Sequence, residues 1–183
     1  MKRSTIAMII GLLGSVGGFA QAATLVVDKG ASMIKIDAKA TGHSFSGVLK
    51  KYEVSAAGDE ATLAPSELNL SWSFSNLDTD DTKRNAEMIK WLGGGSPEGS
   101  FKFSKSWVDK AGVTQCMGSL KINGVSKTIS FPVKTVKNGD KVKVDGNVTI
   151  DYQQFGLPII RAMAVMTVDP KVKVTFHLEG KMQ

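Results

Sequence analysis

The chain has 183 residues, 42% of them hydrophobic and 22% charged, with 23 Lys and Arg against 17 Asp and Glu. That length fits one domain of ordinary size, and the apolar fraction is too high for a disordered chain. A single cysteine, Cys116, excludes an internal disulfide framework and a cysteine-cluster zinc site, and two histidines, His43 and His177, leave little for a His-rich metal site.

The N-terminus reads as an address. Lys2 and Arg3 form a positive start, residues 6–19 are an apolar run, and Ala20-Gln21-Ala22 is a small-x-small cleavage site. This predicts a secretory signal peptide over residues 1–22, cleaved after Ala22, and a mature domain over 23–183. Glycines at 11, 14, 17 and 18 and the short run argue against a permanent membrane span. The expected location is periplasmic. No cysteine follows the site to take a lipid anchor, and Cys116 reads as a small buried hydrophobe.

From Ala23 onward apolar residues recur every second position. Ile34, Ile36 and Ala38 alternate with Lys35, Asp37 and Lys39; Leu68, Leu70, Trp72 and Phe74 alternate with polar residues; so do Phe101 and Phe103, Val142 to Ile150, and Val172 to Leu178. Each run predicts a half-buried strand. Turn signals at Asp28-Lys29-Gly30, Ala57-Gly58-Asp59, Asn123-Gly124 and Asn138-Gly139-Asp140 separate them. About eight strands at this spacing predict one all-β domain, a barrel or a sandwich.

Residues 82–92 break the pattern. Asn85, Met88, Ile89 and Leu92 share one helical face, Asp80 and Asp81 stand where they can cap, and Gly93-Gly94-Gly95 stops the run. A short helix covering an open barrel end is expected. The apolar stretch from Phe155 to Met163, with Gly156 and Pro158, reads as a lid over apolar contents or as a connection packed outside.

No catalytic arrangement stands out: there is no nucleophile elbow, no phosphate loop and no His-x-x-x-His motif. His43 reads as a turn residue and His177 as solvent-facing. The basic charge, clustered at Lys134, Lys137, Lys141 and Lys143 and at Lys171, Lys173 and Lys181, lacks the dense Arg and exposed aromatics that nucleic acid would call for, and reads as solvated strand faces or as a positive rim. No catalytic residue, metal or cofactor is expected. The aromatics Phe45, Trp72, Phe74, Trp91, Phe101, Phe103, Phe131 and Phe155 lie mostly at inward parity, either filling the interior or leaving an apolar cavity.

Three segments resemble the YceI-like family of exported polyisoprenoid-binding proteins. Gly118-Ser-Leu-Lys-Ile-Asn-Gly-Val-Ser-Lys-Thr-Ile129 is similar to that family's strand-turn-strand signature. Thr79 through Arg84-Asn85, Met88, Trp91-Leu92, Pro97 and Phe101-Lys102-Phe103 resembles a second block. Ile150-Asp-Tyr-Gln-Gln-Phe-Gly-Leu157 resembles a third. Tyr152 stands where the family usually has Arg, Gln154 where it has Asp, and Asn85 replaces an Asp. The resemblance implies a single antiparallel lipocalin-like β-barrel with a long apolar tunnel for an isoprenoid quinone, a polyprenyl chain or a similar long-chain lipid. On that reading Phe45, Trp72, Phe74, Ile89, Phe103, Phe131, Phe155 and Met163 line the tunnel. Arg84 and Arg161 are cations at its mouth, or members of structural salt bridges. A carrier of this kind is not an enzyme and makes transient contact with a membrane; the oligomeric state, a dimer included, stays open. Three alternatives remain: a filled barrel that works through its surface as a stress or partner-binding protein, a lipid-acting enzyme using His43 or Tyr152, and an outer-membrane barrel. The last is disfavoured by short strands and by the ending Lys181-Met182-Gln183.

Overall fold

The computed structural model describes residues 22–162 and 166–183; the expected signal peptide lies outside them but for Ala22. In chain order the strands are β1 (Ala22–Val27), β2 (Met33–Ala40), β3 (His43–Leu49), β4 (Glu53–Asp59), β5 (Pro65–Ser73), β6 (Leu77–Asp78), β7 (Glu98–Val108), β8 (Thr114–Ile122), β9 (Val125–Asn138), β10 (Lys141–Asp151), β11 (Arg161–Ala162), β12 (Met166–Thr167) and β13 (Lys171–Met182). One helix, α1 (Thr82–Trp91), follows β6, and 3-10 turns cover Phe74–Asn76 and Tyr152–Phe155.

These pieces make eight staves. Strands β1 and β2 lie end to end along β13, at Leu25↔Met182 and at Lys173↔Asp37. Strands β4 and β3 lie along them in turn, and β5 and β6 along those. Three staves are therefore each broken once, at residues 28–32, at 50–52 and at the Phe74–Asn76 turn. The Asp28 carboxylate shapes the first break, accepting from the Gly30 N–H at 2.9 Å. Ser73 shapes the third, its hydroxyl accepting from the Ser75 N–H at 3.2 Å. Such side-chain bonds replace ladder bonds and let a stave bend. The order runs antiparallel from β1 through β4, β5, β7, β8, β9 and β10 to β13, which pairs back onto β1. The result is the expected closed eight-stave antiparallel barrel with one helix.

Up-and-down winding gives the barrel two unlike ends. One carries short turns at 60–64, 109–113 and 139–140. The other carries the 41–42 turn, α1 and residues 152–162 and 166–170.

Alternation fixes what faces inward. Leu25, Ile34, Leu49, Leu68, Phe101, Leu120, Phe131, Val142, Ile150 and Leu178 form one buried core. Lysines and other polar groups hold the opposite parity, as with Lys171, Lys173 and His177 on β13. An apolar inside with a charged outside is the reverse of a membrane-spanning barrel. The longest strands, β9 with 14 residues and β13 with 12, exceed the short ones expected, so parity rather than length carries this argument.

Interior glycines make room for rings. Gly146 on β10 stands opposite Phe176 on β13. Gly99 on β7 stands opposite Trp72 on β5. The ring of Phe101 lies over Gly118 on the neighbouring strand β8. A methyl group at any of the three would run into the ring, and aromatic cover of a strand glycine is a known device for building curved sheets. Gly146→Ala is expected to destabilise by about 1–3 kcal/mol through overpacking. The double variant Gly146→Ala, Phe176→Leu should recover part of that loss in a denaturant-melt cycle. Simple additivity of the two single changes would mean that ring and glycine do not share the space.

Candidate ligand-binding site

The helix end is assembled by local capping. Asp81 is the N-cap of α1, accepting from the Arg84 N–H at 3.0 Å. Its other oxygen receives the Arg84 guanidinium at 3.0 Å. The Arg84 N–H holds the Asp81 carboxyl below its usual range, and the guanidinium adds to that. The same guanidinium lies 4.5 Å over the ring of Phe45. Arg84 is therefore in a structural salt bridge, and it covers Phe45 rather than facing the interior. Asn85 ties the helix to β6: its carbonyl oxygen accepts from the Thr79 N–H and hydroxyl at 3.0 and 2.7 Å, and its amide donates to Asp78 at 3.1 Å. That amide bond, first among several, pulls the Asp78 carboxyl down. Gly93, Gly94 and Gly95 all take positive φ (98, 77 and 68°) and end the helix as its sequence predicts.

Residues 152–162 and 166–170 lie at this end as a lid. Tyr152 is buried at its hinge. Its hydroxyl donates to the Val168 carbonyl at 2.9 Å and accepts from the Ile160 N–H at 3.3 Å. Trp91 packs edge-on against its ring at 5.0 Å and donates to the Pro158 carbonyl at 2.9 Å. Burial raises the Tyr152 phenol above its ordinary range. Phe155 and Leu157 turn inward from the lid and are buried, Phe155 to 1% exposure.

Below the lid a chain of rings crosses the waist. Phe101 meets Phe131 at 5.4 Å, and Phe131 meets Phe176 at 5.7 Å. Trp72 packs edge-on against Phe74 at 5.7 Å. Toward the turn end lies a cavity of about 40 Å³, lined by Leu25, Leu68, Cys116, Val133, Val142 and Leu178 among others. That is room for about one or two water molecules. The rings thus occupy the waist where the resemblance implied a continuous tunnel. The reason is volume: interior glycines on β7, β8 and β10 admit rings that fill the space themselves.

The expected site residues divide accordingly. Phe74, Phe131 and Phe155 are buried in the core, and Trp72, Ile89 and Phe103 pack against it half-exposed. Phe45 and Arg84 form the rim pair at the helix end. Arg161 is exposed, on a two-residue strand paired at Thr167, and Met163 lies outside the described residues. Phe101, Phe176 and Tyr152 complete the ring system and were not among the expected lining residues. The inward-parity glycines beside Phe101 and Phe176 were the available signal.

Two further groups depart from expectation or refine it. His177 is half-buried on the outer face, 2.7 Å from Asp145 across the strand pair. Of the seven clustered lysines four are in ion pairs among the described residues: Lys137 with Glu60 at 2.9 Å, Lys141 and Lys143 both with Glu179 at 3.2 and 3.1 Å, and Lys181 with Asp140 at 2.6 Å. These four belong to solvated strand faces. Tyr52, buried at the second stave break, has a hydroxyl with no hydrogen-bond partner among the described residues.

The model of the YceI-like domain matches residues 25–180 of the chain. No curated protein matches it. Among solved structures it is similar to Burkholderia cenocepacia BcnA, with TM-score 0.72 and 20% identity over 85% of this chain and 99% of that one. It is also similar to a polyisoprenoid binding domain from Saccharophagus degradans implicated in plant cell wall breakdown, with TM-score 0.63 and 16% identity over 88% and 98%. A third is the Campylobacter jejuni YCEI protein, with TM-score 0.61 and 18% identity over 75% and 84%. At these identities the structural likeness speaks for the fold.

Cys116 reports on the closed interior. It is fully buried, and burial pushes its thiol up from 9.0 to about 11. At pH 8 a small alkylating reagent is therefore expected to label it only as fast as the barrel opens, and at once in denaturant. Rapid labelling of the folded protein would show that the turn end admits small molecules freely.

Proposed function

The chain belongs to the YceI-like family, and from that membership and an apolar barrel interior we propose that it binds and carries an elongated apolar ligand, an isoprenoid quinone, a polyprenyl chain or a similar lipid. The observation that carries the reading is the interior itself. A closed wall of eight staves surrounds apolar side chains, with a lid that is itself apolar on its inner side. Burying a lipid chain there gains roughly 0.8 kcal/mol per CH₂ and calls for no catalytic group. Binding rather than catalysis is supported by how the candidate acid/base groups are used. The Tyr152 hydroxyl is spent on two backbone bonds of the lid. His43 stands exposed at the start of β3 beside Phe45. A periplasmic location is supported by the sequence pattern of residues 1–22. Strand β1 would keep its Ala23↔Gly58 pairing after cleavage at Ala22.

A lipid carrier has to reach a membrane. The turn between β7 and β8 suits this, because Trp107, Val108 and Val113 are exposed there and Lys105 lies 5.7 Å over the Trp107 ring. A tryptophan with flanking lysines is matched to the interface of an anionic bilayer. The variant Trp107→Ser, Val108→Ser is expected to lose flotation with phosphatidylglycerol-containing vesicles while melting as the wild type does. Unchanged flotation would move the contact elsewhere.

Native mass spectrometry of the protein from its own cells, followed by organic extraction, tests the main reading. The expected result is a discrete added mass that extracts as an isoprenoid or other long-chain lipid. The ring-filled waist favours the second reading, a barrel acting through its surface on a partner. A clean ligand-free mass together with no uptake of added quinones or polyprenols would overturn the carrier reading and leave that one standing.

A further inference from the structure

The barrel wall parts where two of its longer strands meet. Strands β9 and β10 pair from Lys141↔Asn138 only as far as Gly146↔Val133. Above that point β9 stays paired to β8 as far as Val125, and β10 stays paired to β13 as far as Asp151. The two strands thus diverge toward the helix end with their facing edges unladdered. Pro132 is the first residue of β9 beyond the last pair. A proline carries no N–H to donate and is confined in sheets to edges and interruptions.

Phe155 plugs the gap. It descends from the Tyr152–Phe155 turn, is 1% exposed, and has its carbonyl held by the Asn123 side-chain amide at 3.4 Å. Outside it lies a cavity of about 250 Å³. Ile129 and Ile150 are its apolar walls, and Thr149, Asp151, Gln154 and Lys171 give it polar ones. The turn that carries the plug is held locally: the Asp151 carboxylate accepts from the Gln153 N–H at 3.0 Å, the Tyr152 N–H donates to the Pro170 carbonyl at 3.0 Å, and Gly156, at φ 75°, bonds the Gln153 carbonyl.

We propose that this gap is the side portal of the barrel and the seat of the ligand's polar end. An amphiphile with an oxygen-bearing head places that head among Thr149, Gln154 and Lys171, and its tail enters past Phe155. The volume suits this division, since about 250 Å³ holds a head group and not a long tail. Entry here breaks no strand-to-strand bond, because the facing edges of β9 and β10 above Gly146 are already unpaired. Entry through the helix end would have to break the Trp91–Pro158 and Tyr152–Val168 bonds. The inference rests on the carrier reading above.

Stopped-flow uptake of menaquinone-4, read by quenching of tryptophan fluorescence, tests it. The double variant Thr149→Phe, Gln154→Phe fills the outer cavity at two exposed positions. It should slow association roughly tenfold or more at an unchanged melting temperature. Phe155→Ala should speed it. Association of the blocked variant at the wild-type rate overturns the portal and leaves the carrier reading standing. A wild-type protein that takes up no quinone or polyprenol at all overturns both. Should Phe155→Ala fail to fold, the blocked variant decides alone; an unchanged rate in a folded Phe155→Ala removes Phe155 as the plug.

Discussion

The interior volume of an eight-stave barrel has to be filled, and here it is filled by rings laid over glycines. Phe101, Phe131 and Phe176 come from three different staves and meet at the waist. Phe101 and Phe176 can lie flat only because Gly118 and Gly146 have no side chain beneath them. The register of the wall follows from this. A slip of one residue between β10 and β13 would set Phe176 against a residue with a side chain and turn lysines inward. Closure, curvature and strand order therefore depend on one type of contact repeated around the wall.

The outer face adds little cohesion but much selectivity of parity. Its ion pairs are exposed and screened by solvent, so each adds little. Glu179 is the best placed, held low by Lys143 and Lys141 together. Such pairs mark which side of each strand faces water. This is why Lys137, Lys141, Lys143 and Lys181, conspicuous in the sequence, form no basic site in the fold.

Local features were legible from the sequence and long-range ones were not. Alternation located the strands, and Asp81 with three glycines located the helix and both of its ends, because those signals act over a few residues. Of the breaks that bend three staves, the turn signal at Asp28-Lys29-Gly30 marked the first, and those at 50–52 and 74–76 were hidden. Ser73 draws Phe74 out of its strand into a 3-10 turn, and nothing in the alternation of Leu68 to Phe74 betrays it. Parity told that Phe101 and Phe176 face inward. It could not tell that they meet Phe131, since that depends on how far around the barrel each stave falls. Two departures from the family pattern also acquire physical roles. Asn85 can accept from Thr79 and donate to Asp78 at the same time, which a carboxylate cannot do. Tyr152 joins Trp91 to the lid through one ring and one hydroxyl.

A filled waist and a carrier role are compatible on energetic grounds. An isoprene unit brings five carbons, worth about 4 kcal/mol when fully buried at roughly 0.8 kcal/mol per carbon. Turning a ring off its preferred rotamer costs about 0.5–1.5 kcal/mol. The gain from one buried unit therefore exceeds the cost of moving two of the three waist rings, provided that the tail fills the space they leave. The rings then act as the interior's occupants when no lipid is present, keeping it dry and the wall in register. A dry, ring-filled barrel avoids both the penalty of an empty cavity and the cost of expelling water at each loading. What such a design requires is a place where the wall yields without losing backbone bonds. The divergence of β9 from β10 above Pro132 meets that requirement, since the laddered lower half holds the two staves together while the upper half is closed by side chains alone.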